Sequence, residues 1–289
     1  MRWGLPGRHR SSVDGVRRLN TSDTAFLRAL VDRDPVANAF VDSQLTDDRS
    51  AGGSSGSFYL GRFNDVGQME AACWVGSNVV PVECTVEDAA AFGRHLLGLH
   101  RRFASVFGPR EATLALWGEL SRGRQRAFAV REHQPLMVAD SVPDDARVGL
   151  VRRAWPADGE ALLPACVAMF QEELGYSPFA NGEAAYRQRV DWMVRAGHAL
   201  VETDAAGRIL FKAELGVVTP RVTQIQGVWM HPDRRGMGLA ESRMADVIAL
   251  ALTVAPTTSL YVNDYNERAL RTYRSVGFRQ VGEFATVLF

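Results

Sequence analysis

The chain has 289 residues, 46% of them hydrophobic, enough to bury one large core or two ordinary ones. Its 33 basic and 33 acidic residues leave a formal net charge of zero, so nothing in the balance points to nucleic acid or an anionic membrane as partner. No run approaches ~20 consecutive apolar residues, the N-terminal arginines have no apolar signal core behind them, and Cys73, Cys84 and Cys166 lack CxxC spacing; a reduced, cytoplasmic, globular protein without a metal site is the expectation.

Residues 1–19 are expected to be a flexible lead. A helix begins near Ser22 or Asp23 and is interrupted by Pro35. A Gly/Ser cluster precedes a strand at Phe58–Phe63, and two further strands follow at Met69–Trp74 and Asn78–Cys84. "VEDAAAFGRHLLGLHRRF" has helical periodicity, "ASVFGP" is a short strand, "REATLALWGELS" is a helix and "QPLMVAD" a strand. A polar, proline-bearing linker near Ser141–Asp145 marks a domain boundary, giving domains at 20–140 and 146–289. In the second half the strands are Arg147–Arg153, two within "HALVETDAAGRILFKAELG", "RVTQIQGVWM", Ser259–Val262 and a C-terminal segment. Helices are expected at Pro156–Leu174, Glu183–Ala196, Leu239–Val254 and Glu267–Val276. Strands flanked by helices imply an α/β sheet with both faces covered. Both halves share a coarse order of elements, which suggests a duplication.

One stretch carries chemistry: "VWMHPDRRGMGLA", Val228–Ala240, a strand that exits at a proline into a glycine-paced turn and a helix start. Backbone N–H groups at a helix start lack intrahelical partners and carry partial positive charge, so a phosphate can accept several of them where glycines allow close approach. Gly236 and Gly238 allow that approach, small Ala240 leaves the first turn uncrowded, and Arg235 brings a guanidinium to hold the turn or the phosphate. Neither GxxxxGK[ST] nor GxGxxG with an acidic residue ~20 further on is present. Downstream, "LYVNDYNERALRTYRSVGF" sets Asn266, Ala269, Leu270 and Tyr273 at i, i+3, i+4 and i+7, one helix face, with Asp264 and Glu267 as a capping arrangement.

From about Val148 to Phe289 the chain resembles the GNAT superfamily of acyl-CoA-dependent N-acyltransferases. The family's Q/R-x-x-G-x-G/A signature falls on Arg235, Gly238 and Ala240, after the apolar-x-Pro exit Met230-His231-Pro232. Its second landmark, N-x-x-A-x-x-x-Y-x-x-x-G-F, falls on Asn266, Ala269, Tyr273, Gly277 and Phe278. The resemblance implies a mixed, mostly antiparallel central sheet flanked by helices, two tandem GNAT-like domains, and acetyl-CoA as acyl donor. It implies that the main chain of Val228 and Met230 holds the pantetheine arm. The amides of Gly236, Met237, Gly238, Leu239 and Ala240 would hold the pyrophosphate, Asn266 would touch the arm further along, and Tyr273 would lie near the thioester sulfur.

Acyl transfer to an amine needs a neutral amine, a stabilised oxyanion and a proton for the leaving thiolate. Tyr273, a phenol of pKa ~10, is the expected acid, and the N–H of Met230 is expected to polarise the thioester carbonyl. Relatives place a glutamate on the fourth strand; this chain has Gln224 and Gln226 there. Glu214 is the foremost candidate base, with Glu172, Glu173 and His231 as alternatives. Of 33 basic residues only Lys212 is lysine, two positions from Glu214 and on the same strand face. A hairpin turning near Thr219 would set Lys212 opposite Gln226 and Glu214 opposite Gln224, and a compact ammonium paired to Glu214 accounts for the lone lysine. In "FASVFGPREATLALW" the turn Gly108-Pro109-Arg110 lacks glycine pacing, and its proline lacks a donor; the first half is therefore expected to be a degenerate GNAT-like domain without a CoA site.

The expected activity is transfer of an acetyl group from acetyl-CoA to a primary amine by direct attack, the acceptor being a small molecule or a peptide. A non-catalytic acyl-CoA-sensing module and an aminoacyl- or longer-acyl-transferring enzyme are the alternatives. The sequence leaves acceptor and oligomeric state open.

Overall fold

The computed structural model describes residues 15–143 and 146–289. They divide into two compact units: one runs to Gln134 and takes in Glu283–Phe289, the other spans Pro135–Gly282. The expected lead of residues 1–19 falls mainly outside the described residues; its last part, Val16–Arg18, is not flexible lead but strand β1.

In the first unit β1 is followed by helices α1 (Thr24–Val31) and α2 (Ala39–Asp48), then strands β2 (Phe58–Phe63), β3 (Met69–Val75) and β4 (Asn78–Val82). Helix α3 (Val86–Leu97), strand β5 (Ser105–Pro109), helix α4 (Arg110–Leu120) and strand β6 (Ala129–Ala139) complete the series. The second unit repeats it: β7 (Arg152–Arg153), α5 (Gly159–Leu174), α6 (Glu183–Arg195), then β8 (Ala199–Thr203), β9 (Ile209–Val218) and β10 (Val222–Met230). Helix α7 (Ala240–Leu252), strand β11 (Thr257–Tyr261), helix α8 (Glu267–Ser275) and strand β12 (Arg279–Leu288) follow. Both read strand, two helices, three strands, helix, strand, helix, strand, which is the duplication suggested by the sequence.

Within each unit the strand pairing is antiparallel except for one neighbouring pair, β4–β5 in the first unit and β10–β11 in the second. A parallel pair needs a crossover, and the helices α3 and α7 supply it. The closing strands are exchanged between the repeats. Residues Leu136–Ala139 of β6 pair with β11, and Phe284–Leu288 of β12 pair with β5. The boundary therefore falls at 134/135, not near 141–145, and the second unit stops at Gly282 instead of running to Phe289. The polar linker follows the strand that closes the second sheet, so composition marked the loop and missed the strand's membership.

In the second unit one apolar cluster sets Phe211, Ala213, Leu215 and Ile225 against Met244, Val247 and Ile248 of α7. Another sets Val201, Ile209 and Trp229 against Leu162, Cys166, Val190 and Met193 of α5 and α6. Alternation along β9 sends Phe211 and Ala213 to the first cluster and Lys212 and Glu214 to the opposite face. The expected strand Arg147–Arg153 shrinks to Arg152–Arg153. The buried Asp246 carboxylate on α7 accepts the N–H groups of Val148, Gly149, Leu150 and Val151 at 2.8–3.2 Å, so this backbone needs no strand partner. Among the described residues no helix is long and apolar enough to cross a membrane.

Candidate functional site

Strands β10 and β11 pair only at Val222–Gln224 with Thr257–Ser259. Beyond Gln224 they part, and a cleft of about 530 Å³ opens between β10, the turn leading to α7, and α8. Val228 and Met230 line it from the strand, Gly238, Leu239 and Ala240 from the turn, and Asn266 and Tyr273 from α8.

Two local features aim polar backbone into this cleft. Between Gln226 and Trp229 the ladder to β9 carries a bulge, with Gly227 at φ +59. After it, His231 N–H donates to the Leu210 carbonyl at 2.9 Å, making 231 and 210 a hydrogen-bonded pair. The adjoining pair Met230–Phe211 is then non-hydrogen-bonded, and the Met230 amide points away from β9 toward the side that β11 has left. The second feature is the turn. Pro232–Arg234 is a single 3₁₀ turn, Gly236 and Gly238 have φ +80 and +72, and α7 starts at Ala240 without a side-chain cap. Among the described residues the amides of Gly236, Met237, Gly238 and Leu239 donate to no protein group. A Cβ at either glycine would meet open space, so the backbone itself is what a ligand reaches. Gly236 and Met237 belong to this turn without lining the cleft, and the Met237 side chain is exposed.

Arg235 holds the turn. Its Nε donates to the Met230 carbonyl at 2.9 Å, and its Nη2 lies 2.8 and 2.9 Å from the two oxygens of Glu172 at the end of α5. Trp229 Nε1 donates to the same carboxylate at 3.2 Å. Asn266, not Asp264, caps α8, accepting the Ala269 N–H at 3.2 Å; the asparagine occupies the N-cap position itself, where a side-chain oxygen reaches the third amide. Tyr273 is buried, edge-to-face with Phe278, and among the described residues its hydroxyl has no hydrogen-bond partner. Burial, with the charge of Glu173 adding, pushes its phenol up to about 12.

Glu214 lies elsewhere. It does not line the cleft but sits with Lys212, which is 0% exposed, over the α5–α6 face. Lys212 Nζ bonds Glu214 Oε1 at 2.5 Å and Cys166 Sγ at 3.5 Å. Arg189 and Gln226 donate to Glu214 Oε2 at 3.2 and 3.4 Å. Burial would raise this carboxyl, yet Lys212 and Arg189 outweigh it and hold it at about 2. Burial raises the Cys166 thiol, so it stays protonated at neutral pH. The expected cross-strand register is off by two residues at Glu214, which faces Gln226, and by three at Lys212, which faces Trp229. The hairpin turns at Pro220-Arg221 instead of Thr219, and irregularities at Gln224/Ile225 and Gln226/Trp229 shift the rest. Of the other candidate bases, Glu172 lines the cleft, while Glu173 and His231 do not. Sequence reasoning missed Trp229, the bulge at Gly227, and the arginines Arg234, Arg268 and Arg271 on the cleft wall. A glycine inside the strand pattern "QGVWM" was the available signal for the bulge.

After Val79, β4 and β5 no longer pair, and Phe107 and Phe40 pack edge-to-face at 5.1 Å, with Trp74 against Phe40 at the same distance. The counterpart by element order of the turn before α7 is Glu83–Thr85, before α3, not Gly108–Arg110. There Thr85 and Asp88 form a capping box, the carboxylate accepting the Thr85 N–H at 2.9 Å.

Residues 166–278 match the Acetyltransferase (GNAT) family, and this half of the chain is a GNAT domain. Residues 58–162 match a domain of unknown function, DUF4081. A mycothiol acetyltransferase of Mycolicibacterium paratuberculosis is 30% identical over 184 residues, 59% of this chain and 57% of that protein. Matches to proteins of that name span between 31% and 57% of their own length. Among solved structures, a GNAT-family acetyltransferase from Colwellia psychrerythraea superposes with TM-score 0.56 at 12% identity, over 95% of this chain and 99% of that one. A tandem GNAT protein from the clavulanic acid biosynthesis pathway gives 0.50 at 11%, over 94% and 97%. These likenesses support a fold of two GNAT-like units.

Proposed function

We propose that the second unit transfers an acetyl group from acetyl-CoA to a primary amine of a small molecule, by direct attack and without a covalent enzyme intermediate. The observation that carries this reading is the unoccupied run of amides at Gly236–Leu239, beside two positive-φ glycines, at the mouth of the cleft between β10 and β11. A diphosphate satisfies those amides and the positive end of α7 together.

With coenzyme A seated there, the pantetheine arm runs along Val228 and Met230, where β11 has left main-chain groups open. The outward amide of Met230 polarises the thioester carbonyl. Tyr273, held protonated and unpartnered, gives its proton to the departing thiolate. Glu214 fits poorly as the base, because a carboxylate held at about 2 by two cations accepts a proton reluctantly. It lies against the bulge, accepting the Gln226 side-chain N–H at 3.4 Å, and a Cβ at Gly227 would come 3.2 Å from its carboxyl carbon. Glu172 is the carboxylate placed to receive the amine.

The relatives named mycothiol acetyltransferases support a small-molecule acceptor. In the first unit the Asp88 carboxylate holds the helix start where the second unit leaves amides open, which supports a domain without a CoA site. Free-thiol release from acetyl-CoA, measured over a panel of amines, tests the activity. Absence of coenzyme A binding by calorimetry would sink it, and binding without release with every amine would favour the sensing module.

A further inference from the structure

The guanidinium nearest the proposed diphosphate turn is already engaged. Arg235 directs Nη2 at both oxygens of Glu172, at 2.8 and 2.9 Å. Both side chains are part-exposed, 38% and 48%, so the pair can open without exposing a core. Both also line the cleft. An anion entering it meets Arg235 already neutralised by the protein's own carboxylate. Glu172 has a second donor in Trp229 Nε1 at 3.2 Å, which keeps it placed if the arginine leaves.

We infer that Glu172 and the diphosphate of coenzyme A compete for Arg235, so that donor binding releases the Glu172 carboxylate into the cleft for the acceptor's ammonium. This rests on the coenzyme reading above and adds to it a switch at one side chain: Arg235 exchanges the Glu172 carboxylate for the diphosphate. Before the donor arrives Glu172 is held by a guanidinium and attracts an amine weakly. Afterwards it keeps only its bond from the Trp229 indole, and it shares the cleft with Tyr273 and Met230.

The test is calorimetric titration of the full chain with coenzyme A in a double-mutant cycle. Glu172→Gln should tighten coenzyme A by about two- to fivefold, the range an exposed ion pair commands, and the gain should shrink with salt. In an Arg235→Gln background the same change should do nothing. An equal gain in both backgrounds would mean simple removal of negative charge and would overturn the gate, as would no gain or a loss with Arg235 present. Should Arg235→Gln not fold, Glu241→Gln takes its place as comparison. Glu241 lines the same cleft and among the described residues has no partner. A gain from Glu172→Gln larger than from Glu241→Gln supports the gate, and an equal or smaller one overturns it. Wild-type protein that binds no coenzyme A defeats the functional reading itself, an outcome distinct from all of these.

Discussion

Replacing Lys212 by methionine probes a buried ion pair whose partners are both almost fully enclosed. Lys212 is 0% and Glu214 4% exposed, and the ammonium supplies the shortest bond the carboxylate accepts. Methionine keeps the length of the side chain and removes the charge, leaving Glu214 with Arg189, Gln226 and a long contact from the Cys166 thiol at 3.8 Å. The fall of the Glu214 carboxyl from 4.5 to about 2 corresponds to about 3 kcal/mol favouring its charged form. Breaking a buried pair from one side costs about 3–5 kcal/mol, because the remaining charge stays desolvated. Lys212→Met should therefore lower the unfolding free energy by about 3–5 kcal/mol in urea titrations followed by circular dichroism at pH 7. The double variant Lys212→Met/Glu214→Leu should recover most of that, since no uncompensated charge remains. Glu214 has a depressed folded pKa, so its contribution is present above 4.5 and is lost as pH falls through about 2; the wild type should weaken across that window. Lys212→Arg should cost about 1–3 kcal/mol by overpacking, because the void beside the ammonium is only about 10 Å³. A loss under about 1 kcal/mol in Lys212→Met, or a double variant no better than the single, refutes this reasoning.

Tyr273→Phe should leave coenzyme A affinity within twofold and cut kcat by about 10²-fold, the usual share of one general acid; an unchanged kcat in steady-state assays removes the tyrosine from the proposed mechanism. Because burial lifts that phenol to about 12, no alkaline loss of rate below about pH 11 should trace to it, which the Tyr273→Phe pH profile checks. Gly238→Ala imposes φ +72 on an alanine at a cost of about 1–2 kcal/mol, and calorimetry should find coenzyme A at least tenfold weaker; wild-type affinity would contradict the role of the turn. Asp246→Asn turns one acceptor oxygen into a donor among four backbone N–H groups and should cost about 2–3 kcal/mol of stability in urea, with faster amide exchange at Val148–Val151.

What the sequence revealed depended on how local the cause was. Strand β2 was legible at both ends because its apolar run is bounded by a Gly/Ser cluster and a polar turn. The turn before α7 was legible because Gly236 and Gly238 are needed for their own backbone angles. The β9–β10 register was not, since the irregularities at Gln224/Ile225 and Gln226/Trp229 answer to packing across two strands. The shortened β7 was not, because its hydrogen-bond acceptor, Asp246, lies nearly a hundred residues away. The two closing strands escaped for the same reason: β6 and β12 have ordinary strand patterns, and nothing local tells which repeat each completes.

The two repeats separate fold from site within one chain. Both place a parallel strand pair beside a crossover helix, so topology alone offers each a cleft and a helix start with orphan amides. At the start of α7 the sequence supplies Gly-Met-Gly and no cap, and the amides stay open. At the start of α3 it supplies Thr85 and Asp88: the Asp88 carboxylate accepts the Thr85 N–H and pairs with Arg62, while the Thr85 hydroxyl accepts the Asp88 N–H. An anion arriving at α3 would have to displace a covalently tethered one, whose effective concentration no free phosphate matches. The threonine cap and the acidic residue at the third helical position thus support the proposal that the first unit holds no coenzyme, and the aromatic packing of Phe40, Trp74 and Phe107 adds to it. The capping box satisfies within one unit the kind of donor that the other leaves open for the proposed diphosphate.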